Sequence, residues 1–275
     1  MVVVDPKTGY IKCMVGGYDY NADENHVNHA TAKRPVGSTF KPYAGNCHPK
    51  RHEPNVTLNC NSPLKAKGTT TEVQNYANHS YGNITLKQAT AYSSNTGYIQ
   101  VAEAVGNSKI ISLVKKLGID PAKDNIEDVP VMTLGTGSIS PLEMAAAYAT
   151  FANGGYYRQP IAITEIDSRT GSVLYQHTDN PSQVLTEGEA AAVTDVLSGV
   201  MQGGGTGAAG ALSVNQPMPA RRAPPTTPPT CGSAAIPRSW RAPCGPAIPR
   251  ARSPSKNTAR TCWATAPTCL SLSGL

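Results

Sequence analysis

The sequence predicts an α/β or α+β domain rather than a helical bundle, and three observations carry that reading. Apolar runs around a Pro/Gly turn open the chain, helix-spaced segments fill its middle, and a second hairpin precedes one more helix. At 275 residues the chain can hold one large domain or two small ones, with a sizeable core in either case.

Taken in order, Val2-Val3-Val4 and Tyr10 to Val15 flank Asp5-Pro6-Lys7-Thr8-Gly9, which supplies a hairpin turn, and Gly16-Gly17 ends the second strand. Tyr18 to His29 is polar, and His26 and His29 read as solvated loop residues rather than ligands. The run Arg34-Pro35-Val36-Gly37-Ser38-Thr39-Phe40-Lys41 starts a helix that continues through Tyr43 and Ala44. Residues 48 to 80 are rich in Asn, Thr, Pro and Lys without periodicity, and read as an irregular loop layer. Thr85 is an N-cap opening a helix, and helical spacing returns in Ile99 to Val105 and in Ile110 to Leu117, ended by Gly118. Pro141 suits the first position of a helix that stops at Asn153-Gly154-Gly155. A second hairpin spans Ile161 to Tyr175 with its turn at Asp167 to Gly171, and Thr186 caps a helix from Glu187 to Met201.

Charge divides the chain. The net charge is +6, but all 18 acidic residues lie at or before Asp195. Seven Arg and one Lys follow it, leaving 16 basic residues against 18 acidic ones in the body, so the body is −2 and the tail +8. Both tryptophans, four of the seven cysteines and twelve of the 23 prolines fall between Pro217 and the end, so two compositions are joined end to end. The odd cysteine count at irregular spacing gives no disulfide framework, and no C-x-x-C pair suggests a metal site. The opening apolar run is too short for a signal peptide or a membrane span.

The chemistry starts at Ser38 and Lys41, three apart and therefore on one face of a helix. A serine hydroxyl becomes a useful nucleophile when a neighbouring base takes its proton, and a buried lysine can be that base. Ser93-Ser94-Asn95 offers a second hydroxyl for a proton route and an amide to hold a substrate, although the triplet alone also reads as a polar helix junction.

With its flanks, the chain resembles the transpeptidase domain of class A penicillin-binding proteins. The blocks run from Val2 to about Gly207: Asp5 with Thr8-Gly9, Val15-Gly16-Gly17, Asn28 with Ala30-Thr31, Arg34 to Pro42, Asn75-Tyr76, Gly82 with Thr85-Leu86, Ser93 with Asn95, Ser140 to Ala145, Ala147-Tyr148-Ala149, Ala152 to Gly155 and Gly205-Thr206-Gly207. The resemblance implies an α/β transpeptidase fold like that of serine β-lactamases, a sheet covered by helices with a helical subdomain carrying Ser93 to Asn95. It implies Ser38 as the acylated nucleophile, Lys41 as its base, Ser93 as proton shuttle and Asn95 as a substrate-binding amide. The implied partners are peptidoglycan stem peptides ending in D-Ala-D-Ala, and β-lactams, with no metal or organic cofactor. The implied location is the extracytoplasmic face of the cell membrane, reached through an N-terminal anchor and a glycosyltransferase domain before residue 1.

The third motif of that family, Lys-Thr-Gly, is expected after Gly205-Thr206-Gly207, on the strand beside the nucleophile. Lys7-Thr8-Gly9 spells it but precedes the serine and reads as a hairpin turn. After Gly207 the chain instead runs Pro217-Met218-Pro219-Ala220-Arg221-Arg222-Ala223. A reading-frame slip between about Ala211 and Met218 explains this. With each third codon base starting a new codon, Pro217 to Trp240 can be read as DAGKTGTTDDTADLWFCGYTPEL. The expected organisation is therefore a partial transpeptidase domain over residues 1–210 with its C-terminal strands missing, and a Pro/Arg-rich, out-of-frame, disordered tail over 211–275. A basic tail can signal nucleic-acid or membrane-surface binding, but no aromatic interleaving or helical phasing supports that here. Rival readings are a D,D-carboxypeptidase or serine β-lactamase, and an inactive relic without catalysis. The slip makes a sharp prediction for the coding DNA. Arg221 must use an AG-type codon, and the hidden Lys and Trp each require one particular wobble base; sequencing that finds other bases beneath Ala220 to Ile236 removes the idea.

Overall fold

A computed structural model describes residues 1–17, 26–47, 56–67 and 72–208, with the backbone of 220–222, 231–235 and 260–264. The proposed slip site, most of the 211–275 tail and the Tyr18 to Asn25 loop lie outside the described residues. The chain opens with the hairpin β1 (Val2–Val4) and β2 (Ile11–Met14), and β3 (Arg34–Pro35) then leads to a 3-10 turn over Gly37–Phe40 and helix α1 (Lys41–Cys47). The Ser38 helix thus starts as a 3-10 turn, because Pro42 has no N–H for Ser38 O and the Lys41 N–H takes that carbonyl instead.

The stretch read as an irregular loop layer holds more structure than expected: β4 (Thr57–Asn59), β5 (Leu64–Lys65), β6 (Glu72–Val73) and a 3-10 turn at Tyr76–Asn78, with β7 (Asn83–Thr85) following. β4 pairs with β7 and β5 with β6, both antiparallel. Ladders of two or three residues are too short to leave an alternating apolar signature. Helices α2 (Leu86–Ala91), α3 (Asn95–Val105) and α4 (Asn107–Lys116) follow, then a 3-10 turn at Pro130–Leu134, β8 (Ser138–Ile139) and α5 (Pro141–Ala152). Next come β9 (Tyr156–Tyr157), β10 (Glu165–Asp167), β11 (Val173–Gln176), β12 (Ser182–Gln183) and α6 (Glu187–Ser198), extended by a 3-10 turn to Met201. Thr85, Ser140 and Thr186 each close a reciprocal capping box, with Gln88, Glu143 and Glu189. The second hairpin begins at Glu165 rather than Ile161, because the Ile161 backbone bonds to Gly9 and Ile11 and ties this segment to the opening hairpin. The described tail residues form β13 (Ala220–Arg222), β14 (Cys231–Ala235) and β15 (Arg260–Ala264).

All three valines of β1 are buried. Successive strand side chains point to opposite faces, so β1 needs cover above and below, the pattern of an interior strand. The main sheet has the order β13-β14-β15-β1-β2. This corrects the expectation that the C-terminal strands are missing: three short strands from the tail continue the sheet past β1, and β13 and β14 lie beside the Ser38 turn. The physical reason is that ladder bonds use backbone N–H and C=O groups that any sequence carries, while an unfilled edge at β1 leaves such groups unpaired.

α5 packs against β1, with Leu142 and Ala145 closing a small core over Val2, Val4 and Ala30. On its other side α5 enters the main core, where Tyr43, Tyr148 and Phe151 meet with ring centroids 5.7 to 6.0 Å apart. The Tyr148 hydroxyl donates to Thr39 O at 2.7 Å, fixing the residue after Ser38 from the helix that backs the sheet.

One ion pair steadies the approach to the site. Lys33 Nζ lies 2.5 Å from Oδ1 of Asp124, a carboxylate with no exposed side-chain surface. The other oxygen of Asp124 accepts from Asp120 N at 2.9 Å, and Asp124 O accepts from Ser138 N at 2.7 Å at the start of β8. β8 in turn pairs with β3, just before the Ser38 turn. The Asp124 carboxylate beside it raises the Lys33 pKa above its ordinary value, against a smaller opposing effect of burial. A raised lysine pKa contributes stability that is present below the unfolded value and fades as pH rises through the folded one. Lys33→Met leaves a buried carboxylate unpaired and is expected to cost on the order of 3 kcal/mol in urea unfolding near neutral pH. The gap to the wild type should narrow as the medium is made strongly alkaline.

Candidate active site

Ser93, Ser94 and Asn95 are the joint between two helices, and each fills a defined capping position. At the end of α2, Ser94 N–H bonds to Ala89 O at 2.9 Å and Ser93 N–H to Thr90 O at 3.0 Å, the paired bonds of a Schellman cap. Ser93 sits at the left-handed position of that cap with φ 60°, where glycine is usual and an L side chain is strained. Ser94 is then the N-cap of α3, its Oγ accepting from Gly97 N at 3.1 Å. Asn95 is the first residue of α3. The spacing Ser-x-Asn is thus the shortest way to leave one helix and enter the next.

This joint faces Lys41, which is fully buried at the start of α1. Lys41 Nζ donates to Ser93 O at 2.7 Å, to Ser93 Oγ at 3.2 Å and to Asn95 Oδ1 at 2.7 Å, three acceptors for the three protons of an ammonium. The Tyr98 ring lies below it, 5.5 Å from Nζ. Ser93 Oγ in turn donates to Ser38 Oγ at 2.9 Å. The hydroxyl of Ser93 therefore bonds to both the amine and the Ser38 oxygen, and a proton can pass from Ser38 through Ser93 to a neutral Lys41. All four residues singled out in the sequence, Ser38, Lys41, Ser93 and Asn95, meet at this point.

The Ser38 turn is held from outside by backbone. Gly37 N–H bonds to Gly135 O at 3.0 Å, and both glycines have positive φ, 55° and 83°. A Cβ on Gly135 would collide with the Gly37 backbone, so the two segments approach this closely only with glycine at position 135. Cys60 lies near the amine; burial pushes its thiol pKa up, partly offset by a hydrogen bond with Ser94 and the charge of Lys41.

With this geometry in place, the comparisons with known proteins decide the family. The profile of the penicillin binding protein transpeptidase domain matches residues 1–217. The chain belongs to that family. Among relatives, penicillin-binding protein 1A of Pseudomonas aeruginosa is 33% identical over 197 residues, covering 70% of this chain and 23% of that protein. Penicillin-binding protein 2D of Bacillus subtilis is 33% identical over 204 residues, covering 72% of this chain and 29% of that protein. This transpeptidase-family chain therefore spans between about a quarter and a third of the relatives' length. Among solved structures, the D,D-transpeptidase domain of a peptidoglycan glycosyltransferase from Eggerthella lenta superposes with a TM-score of 0.71 at 22% identity, covering 86% of this chain and 70% of that one. The imipenem acyl-enzyme of penicillin-binding protein A from M. tuberculosis gives 0.69 at 20%, over 83% and 63% of the two chains. At these identities the structures speak for the fold, an α/β penicillin-binding transpeptidase fold. No helix among the described residues is long and apolar enough to cross a membrane.

The sequence reading did not single out Tyr98, Gly135 or the role of Asn75, whose amide bonds to the Ser94–Thr96 segment. Only the Gly135-Thr136-Gly137 run carried a visible hint, since glycines bracketing one residue often mark a close backbone approach. The strain at Ser93 yields a prediction. Ser93→Gly removes the left-handed penalty but also withdraws the Oγ acceptor from the buried Lys41 amine, so its stability in urea unfolding is expected to stay within about 1 kcal/mol of wild type. A loss of several kcal/mol would contradict this account of the joint.

Proposed function

We propose that this chain carries the acyl-transfer machinery of a D-Ala-D-Ala transpeptidase that cross-links peptidoglycan stem peptides at the extracytoplasmic face of the membrane, and that the machinery is impaired by loss of the Lys-Thr-Gly motif from the edge strand. The observation that supports it best is the position of Ser93 Oγ, 2.9 Å from Ser38 Oγ and 3.2 Å from Lys41 Nζ. With Lys41 neutral, Ser38 Oγ attacks the carbonyl carbon of the penultimate D-alanine as its proton passes to the amine. The oxyanion is stabilised by the Ser38 backbone N–H, the C–N bond breaks, and the leaving D-alanine nitrogen receives a proton through Ser93. Asn95 is placed to hold the substrate amide. The amine of a second stem peptide then attacks the acyl-enzyme, forming the new amide and returning the proton to Ser38. A β-lactam acylates the same oxygen through its ring amide.

The impairment has a definite source. The edge strand beside the Ser38 turn carries Ala220-Arg221-Arg222 where the family has Lys-Thr-Gly. In the shifted frame, Lys, Thr and Gly codons begin within the codons of those same three residues. Under this reading residues 1–210 are the partial transpeptidase domain and 211–275 an out-of-frame tail. Loss of one oxyanion donor typically costs about 10²–10³ in rate.

Mass spectrometry with a labelled penicillin tests both parts. The chain with its frame restored after about Ala211 is expected to form a stoichiometric adduct at Ser38, abolished by Ser38→Ala. The chain as it stands should react about 10²–10³-fold more slowly. Absence of a Ser38 adduct in the restored chain would overturn the acyl-transfer reading, and rapid stoichiometric acylation of the present chain would overturn the impairment.

A further inference from the structure

We infer that Asn75 is a positioning residue for acyl transfer: its side-chain amide caps helix α3 from outside and thereby aims Ser93 and Asn95 at Lys41. The inference rests on the transpeptidase reading of the site. Asn75 is buried, although it lies in an otherwise irregular segment far from α3 in sequence. Its Oδ1 accepts from Asn95 N at 2.8 Å, Thr96 N at 3.1 Å and the Ser94 hydroxyl at 3.1 Å. Its Nδ2 donates to Cys60 O and to His79 O, both at 2.9 Å, which fixes which way the amide points.

A helix begins with backbone N–H groups that have no partner within it. In α3 the third is taken by Ser94 Oγ, the ordinary solution. The first two converge on a side chain from another part of the chain. The neighbouring backbone completes the clamp, because Gln74 O accepts from Asn95 Nδ2 at 2.8 Å and so turns Asn95 Oδ1 toward the Lys41 amine. Ser93, strained at φ 60°, cannot hold its own orientation by local preference and depends on Ser94 and Asn95 being fixed behind it. Asn75 therefore acts through the joint, by holding the start of α3, and not on the reacting atoms themselves.

The test compares Asn75→Ala and Asn75→Asp with the wild type of this same chain. In Asn75→Ala, protection from amide exchange at Asn95 and Thr96 is expected to fall at least about tenfold, with α5 unchanged, and labelled-penicillin capture at Ser38 to fall with it. Asn75→Asp keeps the acceptor but regains a donor toward Cys60 O and His79 O only when its carboxyl is protonated. It should restore Asn95 and Thr96 protection at mildly acidic pH and lose it at alkaline pH, a pH-dependent rescue that a general packing defect does not produce. The ionisable groups around this hub are Lys41, Cys60, His79 and Tyr98, and wild type measured in parallel accounts for them. Unchanged protection in Asn75→Ala, or an Asp variant with no pH-dependent rescue, overturns the inference. If exchange responds as described while no variant, wild type included, is acylated at Ser38, the positioning role is overturned for lack of a reaction to position, and the cap alone stands.

Discussion

A fully buried lysine amine is unfavourable unless its charge is met, and the three acceptors around Lys41 Nζ meet it. Those acceptors come from the α2–α3 joint, whereas Lys41 belongs to α1, which is packed against the sheet-backing helix α5 through Tyr43 and Tyr148. The same contacts that satisfy the charge thus lock the helical subdomain onto the sheet side of the domain. Removing either partner would leave a charge or a set of carbonyl and hydroxyl groups buried without a match. The geometry of the candidate site and domain cohesion here are one interaction.

That coupling explains where strain is tolerated. Ser93 occupies a cap position that favours glycine, and Gly135 must remain glycine to meet Gly37. Both lie within the shell around Ser38, and both are fixed by their neighbours: Ser93 by the Schellman bonds and Lys41, Gly135 by accepting from Gly37 N–H. Strain persists where surrounding structure fixes it. A hydroxyl at the Schellman position provides what glycine cannot, a hydrogen-bonded bridge between the Lys41 amine and the Ser38 hydroxyl.

Much of this was legible in the sequence because it is local. Thr85, Pro141 and Thr186 announce helix starts through capping chemistry that acts over three residues, and the structure places helices there. Ser38 and Lys41 share a face for the same reason. What the sequence withheld is non-local. Nothing around Asn75 marks it as the cap of a helix whose first residue is Asn95, since its hydrogen bonds cross to another segment. Lys33 and Asp124 are likewise joined by the fold. The short ladders β4–β7 and β5–β6 depend on pairing partners that no single window contains.

The sheet edge shows what backbone can and cannot supply. β13 and β14 take their places past β15 with a sequence that has no Lys-Thr-Gly, because strand pairing draws on groups common to every residue. In the shifted frame the codons beginning within Cys231 to Ala235 spell Trp-Phe-Cys-Gly-Tyr, an aromatic strand suited to a covered sheet. Either reading can therefore fill the edge with strand, and only one brings a lysine side chain beside Ser38. A fold can be completed by generic hydrogen bonds, but the rate of acyl transfer depends on a charge and an N–H at fixed positions, and these are specified residue by residue. Under the proposed frame slip, fold and chemistry would consequently respond differently: the sheet retains its strands, while the site would lose one of the three motifs the family carries.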